Sequence, residues 1–189
     1  MMQVNMDIQK QQLIANILLT KLEAIDPFCI LAGGAPRDWY FGREATDLDF
    51  YMYIGSMSLS ELHRRLYDLG LIDNSQAHSA DFIDDDDYIK SDRLKWILTF
   101  YYDSQKVQVM VMRKPVIESV LSHFSLSICR IWYKNQTTYF TPEFLKTVEE
   151  KTIRQVQEAF GVGYIDKIRA KFPDYGFVGL SQDIEDFEF

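Results

Sequence analysis

The chain has 189 residues, 47% of them hydrophobic and 25% charged, which suits one soluble globular domain with a well-buried core. No run approaches the eighteen apolar residues a membrane span needs, and MMQVNMDIQKQQ lacks the basic-then-apolar order of a secretory signal, so the expected location is cytoplasmic. Three scattered histidines and two cysteines without a C-x-x-C spacing argue against zinc; Cys29 and Cys129 sit in apolar runs, as buried thiols or one disulfide. The formal net charge of −8 is unevenly spread: residues 1–112 hold 10 Lys/Arg against 17 Asp/Glu, 113–171 hold 10 against 6, and 172–189 hold 0 against 5. An acidic chain is not built to coat nucleic acid broadly, but 113–171 could offer a local phosphate-binding face or simply a charged helix surface.

In chain order, Asp7–Ile25 places Leu13, Ile14, Ile17, Leu18 and Leu22 at helical spacing, a helix packing on a sheet. Phe28–Ala32 reads as a strand, Gly33-Gly34 as a turn, the next residues as a short helix, and Leu48–Ile54 as a second strand. Ser58 and Glu61 form a capping box for a helix with Leu59, Leu62, Leu66 and Leu69 inward and Gly70 past its end. Asp84–Asp87 reads as a solvated loop, because four adjacent carboxylates repel one another. Leu94–Tyr102 and Lys106–Met112 form a hairpin around Asp103-Ser104-Gln105. Beyond it come a short helix from Pro115 to His123, a strand over Ser127–Tyr133, and a helix from Thr141 to Phe160 with Pro142 at its first position. Tyr164–Phe172 is a last helix, and Ser181–Phe189 an acidic, poorly ordered tail.

The richest chemistry lies between Gly33 and Asp49. Side chains alternate on a strand, so Asp47 and Asp49 face the same way, about 6–7 Å apart at the backbone. Two carboxylates so placed suit divalent ions on a polyphosphate, and glycines without Cβ let backbone amides approach phosphate oxygens. Gly33-Gly34-Ala35-Pro36-Arg37-Asp38, then Gly42, then Asp47-Leu48-Asp49, resembles the G-G-x-V-R-D-x-L-x-G-x-x-x-x-D-x-D motif of the DNA polymerase β-like nucleotidyltransferases, in the branch of CCA-adding enzymes and bacterial poly(A) polymerases. Pro36 replaces the usual Val and is tolerated in a first helical turn.

The resemblance implies an α+β fold: a nucleotidyltransferase core over 1–134, a small mixed sheet with helices on one face, followed by a helical extension with an acidic tail over 135–189. It implies Mg2+ (two ions) on Asp47 and Asp49, and an NTP substrate contacted by Gly33, Gly34 and Arg37 with Asp38 bracing the turn. The activity implied is NMP transfer to a hydroxyl acceptor, an RNA (tRNA-like) end above all. Three gaps qualify it. The strand position that carries a third acid in the superfamily holds Gln108; Asp103 could replace it only in another register. The counterpart of an R-R-D-F-T-I-N motif, Ser122-His123-Phe124-Ser125-Leu126-Ser127, has neither the arginines nor the aspartate. Glu149, Glu150 and Arg154 only approximate an E-D-x-x-R helix, and the chain is too short for body and tail domains. Two alternatives therefore stand beside the enzyme: a catalytically degenerate binding or inhibitory module, and a toxin-like or defence-related transferase acting on tRNA or a protein.

Overall fold

The computed structural model describes residues 6–73, 93–116, 120, 124–157 and 163–180. The Asp84–Asp87 loop, most of the expected 115–123 helix and the 181–189 tail lie outside these residues.

The described chain runs α1 (Met6–Leu22), β1 (Ile30–Ala32), α2 (Gly34–Tyr40), β2 (Asp47–Tyr53), α3 (Leu59–Asp68), β3 (Leu94–Tyr102), β4 (Gln105–Met112), a 3-10 turn (Ser127–Cys129), β5 (Ile131–Lys134), β6 (Thr137–Phe140), α4 (Pro142–Glu150), β7 (Thr152–Arg154), α5 (Tyr164–Lys171) and β8 (Gly176–Val178). Six strands form one mixed sheet in the order β3-β4-β2-β1-β5-β6, with β2 parallel to β4 and the other neighbours antiparallel. This is the expected α+β architecture.

Strand alternation decides which side chains meet the site. Leu48, Phe50 and Met52 of β2, with Val107, Val109 and Val111 of β4, pack under α1 and α3. Asp47, Asp49 and Tyr51, with Gln108, Met110 and Met112, therefore face the other way. Over Tyr51, Met110 and Met112 the C-terminal half closes a second core through Phe124, Ile128, Phe144, Ile168 and Phe172. Burial of the two large faces supplies the main driving force, at about 25 cal/mol per Å2 of apolar area.

Several sequence expectations are corrected. Leu13 and Ile17 of α1 are exposed; the buried stripe is Ile8, Gln11, Ile14, Ala15, Leu18, Leu19 and Leu22. Gln11 is buried because every part of its amide is used: Nε2 donates to Ala45 O (2.7 Å) and Gln105 Oε1 (2.9 Å), while Oε1 accepts from Trp39 Nε1 and Ala45 N, both at 2.9 Å. The β3–β4 loop has two residues, not three: Asp103 and Ser104 both have positive φ, and Gln105 already pairs with Tyr102. Ser127–Cys129 is a 3-10 turn rather than the start of β5. The helix expected to reach Phe160 stops at Glu150, where Lys151 adopts a left-handed conformation (φ 47°) and the chain turns into β7, which pairs parallel with β8. Residues 135–189 thus hold strands as well as helices, and β6 belongs to the main sheet through an Asn135-Gln136 turn. Both cysteines are buried free thiols.

Candidate nucleotide site

β1 ends at Ala32, and the chain turns sharply at Gly33 (φ 81°), whose N–H donates to Ile131 O at 3.0 Å. A Cβ on Gly33 would lie 2.8 Å from the Phe124 ring, so this glycine is required by the fold itself. Gly34 is different. It opens α2 without a positive φ, and a Cβ there would meet nothing nearer than Arg37 Nη2 at 3.9 Å. Among the described residues nothing requires a glycine at this point, where alanine would favour the helix by about 1 kcal/mol. The space is left open on the side of the cavity.

α2 carries Arg37 and Asp38 inward, exposed by only 6% and 2%. Arg37 Nε donates to Asp38 Oδ1 (2.9 Å) and Nη1 to Cys129 Sγ (3.3 Å), which leaves Nη2 as the end nearest the Gly34 turn. Asp38 Oδ2 accepts from Lys171 Nζ, so one carboxylate links α2 to α5. Burial alone would lower the Arg37 pKa, but Cys129 and Asp38 hold the guanidinium charged. Asp38 thus braces the turn, while Arg37 both braces it and presents one nitrogen to the cavity.

Gly42, with φ 69°, ends α2, and Gln11 and Gln105 hold the following loop, Gln105 Nε2 donating to Thr46 O at 3.2 Å. β2 therefore enters the sheet in a defined register. Asp47 Oδ2 lies 3.7 Å from Lys106 Nζ. Asp49 Oδ1 is buried and makes no hydrogen bond among the described residues. Burial first, then the neighbouring Asp47 charge, pushes the Asp49 carboxyl up to about 7; Lys106, Arg37 and Lys167 pull the other way. Gln108 stands directly across from Asp49 in the parallel β2–β4 register, and its Nε2 donates to Thr99 Oγ1 at 3.2 Å on β3. Asp103 sits at the hairpin tip, ion-paired with Lys10 at 3.0 Å, and is no third acid. Among the described residues no group of three His, Cys, Asp or Glu side chains converges.

One cavity of about 250 Å3 gathers these parts. Gly33, Gly34, Arg37, Asp47, Asp49 and Gln108 all line it, so every site residue expected from the motif opens on the same space. Phe124 and Ser125, from the position of the missing R-R-D motif, also line it. The third motif does not reach it: Glu150 pairs with Arg154 and Lys146, and neither Glu149, Glu150 nor Arg154 is among the lining residues. Sequence reasoning missed Tyr51, Met110, Cys129, Tyr164, Lys167 and Lys171. Only the alternation on β2 and β4 could have pointed to Tyr51 and Met110; α5 arrives by tertiary folding. Among the lining residues Arg37, Lys167 and Lys171 stand beside Asp38, Asp47 and Asp49, three basic and three acidic side chains.

The basic stretch 113–171 is largely engaged within the protein. Arg113 donates to Leu94 O, Arg130 to Phe124 O and Lys134 to Pro27 O and Cys29 O, while Lys146 and Arg154 pair with Glu150. Among the described residues no helix is long and apolar enough to cross a membrane.

A mixed sheet with a Gly-Gly turn at one strand end and an Asp-x-Asp on the next defines a nucleotidyltransferase-like fold, and the solved structures agree. The chain is similar to a CCA-adding enzyme in complex with ATP (TM-score 0.56, 13% identity, 89% of this chain and 39% of that one). It is similar to the Thermotoga maritima CCA-adding enzyme complexed with tRNA (TM-score 0.53, 13% identity, 91% and 42%). A third likeness is to the Bacillus stearothermophilus CCA-adding enzyme in complex with CTP (TM-score 0.51, 15% identity, 88% and 41%). The chain spans about two fifths of the length of these enzymes. Residues 6–151 match the family described as "Gad2: Gabija anti-defense 2 family protein", and the chain belongs to that family. No curated protein matches it.

Proposed function

We propose that this protein binds a nucleoside triphosphate with magnesium between the Gly33-Gly34 turn and the Asp47/Asp49 pair, and transfers NMP to a hydroxyl acceptor as its part in countering a host defence. The observation that carries the reading is the shared cavity: Gly34, a glycine that no described neighbour requires, opens on the same space as Asp49, whose buried Oδ1 no group among the described residues satisfies. Both features suit a bound group that a side chain or a hydrogen bond would obstruct. The donor set fits a divalent cation, with Asp47 and Asp49 as its ligands and the carbonyl oxygen of Gln108 as the third oxygen in reach of Asp49's strand position. Bound there, magnesium would neutralise the triphosphate and lower the pKa of the attacking hydroxyl.

The chain's own residues do the rest. Gly34 lets phosphate oxygens approach the first amides of α2, and Arg37 Nη2 contributes a fixed positive charge. Tyr51, Phe124 and Tyr164 give the cavity aromatic walls suited to a base. In transfer the hydroxyl oxygen bonds the α-phosphorus, the α–β phosphoanhydride bond breaks, pyrophosphate leaves and the hydroxyl proton passes to solvent. The RNA end as acceptor, with residues 113–171 as its contact, is supported by the likeness to tRNA-processing folds and weakened by how many of those cations are already engaged.

One observation favours a second reading. Gln108 brings no negative charge to the third position and is tied to Thr99, as suits a module that captures nucleotides without turning them over. Incubating the protein with each labelled NTP, magnesium and total tRNA separates the two. Transferred label supports the enzyme. Magnesium-dependent binding that is lost in Asp47→Asn/Asp49→Asn, without transfer, supports capture.

A further inference from the structure

We propose that Lys167 and Lys171, on the helix that follows the family-matched segment, are polyphosphate-binding residues of this cavity and replace the cations absent from the counterpart of the R-R-D motif. The inference rests on the nucleotide reading above and assigns the charge that reading leaves open.

α5 presents Tyr164, Lys167, Ile168 and Lys171 at helical spacing, and all four line the cavity that contains Asp47, Asp49 and Gly34. The helix is held rigidly in that orientation. Ile168 and Phe172 are buried in the second core, the Phe41 ring packs edge-on to Phe172 at 5.1 Å, and the Arg43 guanidinium lies 4.9 Å over Phe172. Arg43 Nη1 also donates to Lys171 O at 2.8 Å, closing the end of the helix against the Gly42 turn.

The two lysines differ in how they are placed. Lys171 is fixed by Asp38 Oδ2, while the other oxygen of that carboxylate, Oδ1, accepts from Arg37, so the three side chains form a positioned unit with one net positive charge at the edge of the cavity. Lys167 is exposed, projects from the same stripe, and its charge is felt at Asp49. A triphosphate carries about four negative charges, and Asp47 and Asp49 offset part of the charge that bound divalent cations would bring, so ammonium groups on a neighbouring wall would meet the outer phosphates. Among the described residues at the position of the missing motif, Phe124 and Ser125 line the cavity, and neither brings a charge.

The test is magnesium-dependent binding of inorganic tripolyphosphate, ATP and AMP to the full chain by calorimetry, with Lys167→Ala, Lys167→Arg and Asp47→Asn/Asp49→Asn beside the wild type. Lys167→Ala should weaken tripolyphosphate and ATP about tenfold and AMP little, and Lys167→Arg should restore most of it. The exposed position makes the variant benign for folding, and its melting temperature should match the wild type's. Lys171→Ala removes a partner of buried Asp38, so Lys171→Arg is the informative variant there and should keep ATP affinity. Wild-type binding that needs magnesium but is unchanged in Lys167→Ala would overturn the lysine assignment and leave the nucleotide reading intact. A wild type that binds neither ATP nor tripolyphosphate would overturn both.

Discussion

Asp49→Asn should stabilise this protein, and by an amount that depends on pH. The Asp49 carboxyl is raised from the ordinary 3.8 to about 7, because burial and Asp47 both oppose its charge. A group whose pKa is higher when folded binds extra protons in the folded state between those two values, so its contribution is complete below about pH 4 and is lost as pH rises through about 7. The rise amounts to at most about 4 kcal/mol at about 1.4 kcal/mol per tenfold change in proton affinity. Water entering the open cleft reduces this to about 2 kcal/mol. Asparagine cannot ionise and has nearly the same shape. Urea unfolding with a chelator present should therefore show the variant about 2 kcal/mol more stable than the wild type near pH 8 and nearly equal near pH 4. Magnesium should narrow the gap at pH 8 by stabilising the wild type alone. A difference of the same size at both pH values, or a variant less stable at pH 8, would refute the assignment of Asp49 as a strained, cation-seeking carboxylate.

Four further outcomes follow from the geometry. Gly34→Ala should leave thermal stability level or raise it by about 0.5–1 kcal/mol while lowering NTP affinity, measured by calorimetry, whereas Gly33→Ala should destabilise the fold by about 1–3 kcal/mol through its φ and the Phe124 contact; equal stability losses would mean that Gly34 is also structural. Gln108→Asp restores a third charge opposite Asp49: in a degenerate transferase it should raise label transfer, and an inactive wild type with an inactive variant under magnesium and manganese would favour nucleotide capture. Phe144→Ala empties a site with no solvent exposure, packed against Tyr40 and Phe140, and should cost about 3–5 kcal/mol in denaturant unfolding; a loss below 1 kcal/mol would show that α4 is not integral to the second core. Lys10→Ala at the exposed Asp103 ion pair should change stability by less than about 1 kcal/mol, and a larger loss would make the hairpin tip a structural anchor.

What the sequence by itself determined about this protein is everything that depends on short spacing. The Gly-Gly turn, the Arg-Asp pair and the Asp-x-Asp lie within one strand–helix–strand unit, and period-two alternation sends Asp47, Asp49 and Gln108 to one face whatever surrounds them. The caps at Ser58 and Thr141 were legible for the same reason, since each side chain bonds an amide three residues on. The Asn135-Gln136 turn is also local, two residues with positive φ between a four-residue strand on either side. Other features belong to the tertiary structure. The buried face of α1 is chosen by Gln11, whose amide is satisfied only once Trp39, Ala45 and Gln105 come together; from spacing alone Leu13 was the better core residue. α4 ends at Lys151 because β7 finds its partner in Gly176–Val178, a pairing of three-residue segments far apart in sequence that no local propensity announces. The same holds for the wall that α5 builds. Tyr164, Lys167 and Lys171 look like any charged helix until Ile168 and Phe172 bury themselves against α2 and turn that stripe toward Asp49, because burial of apolar surface is non-directional and only the packed core settles which polar groups it brings face to face.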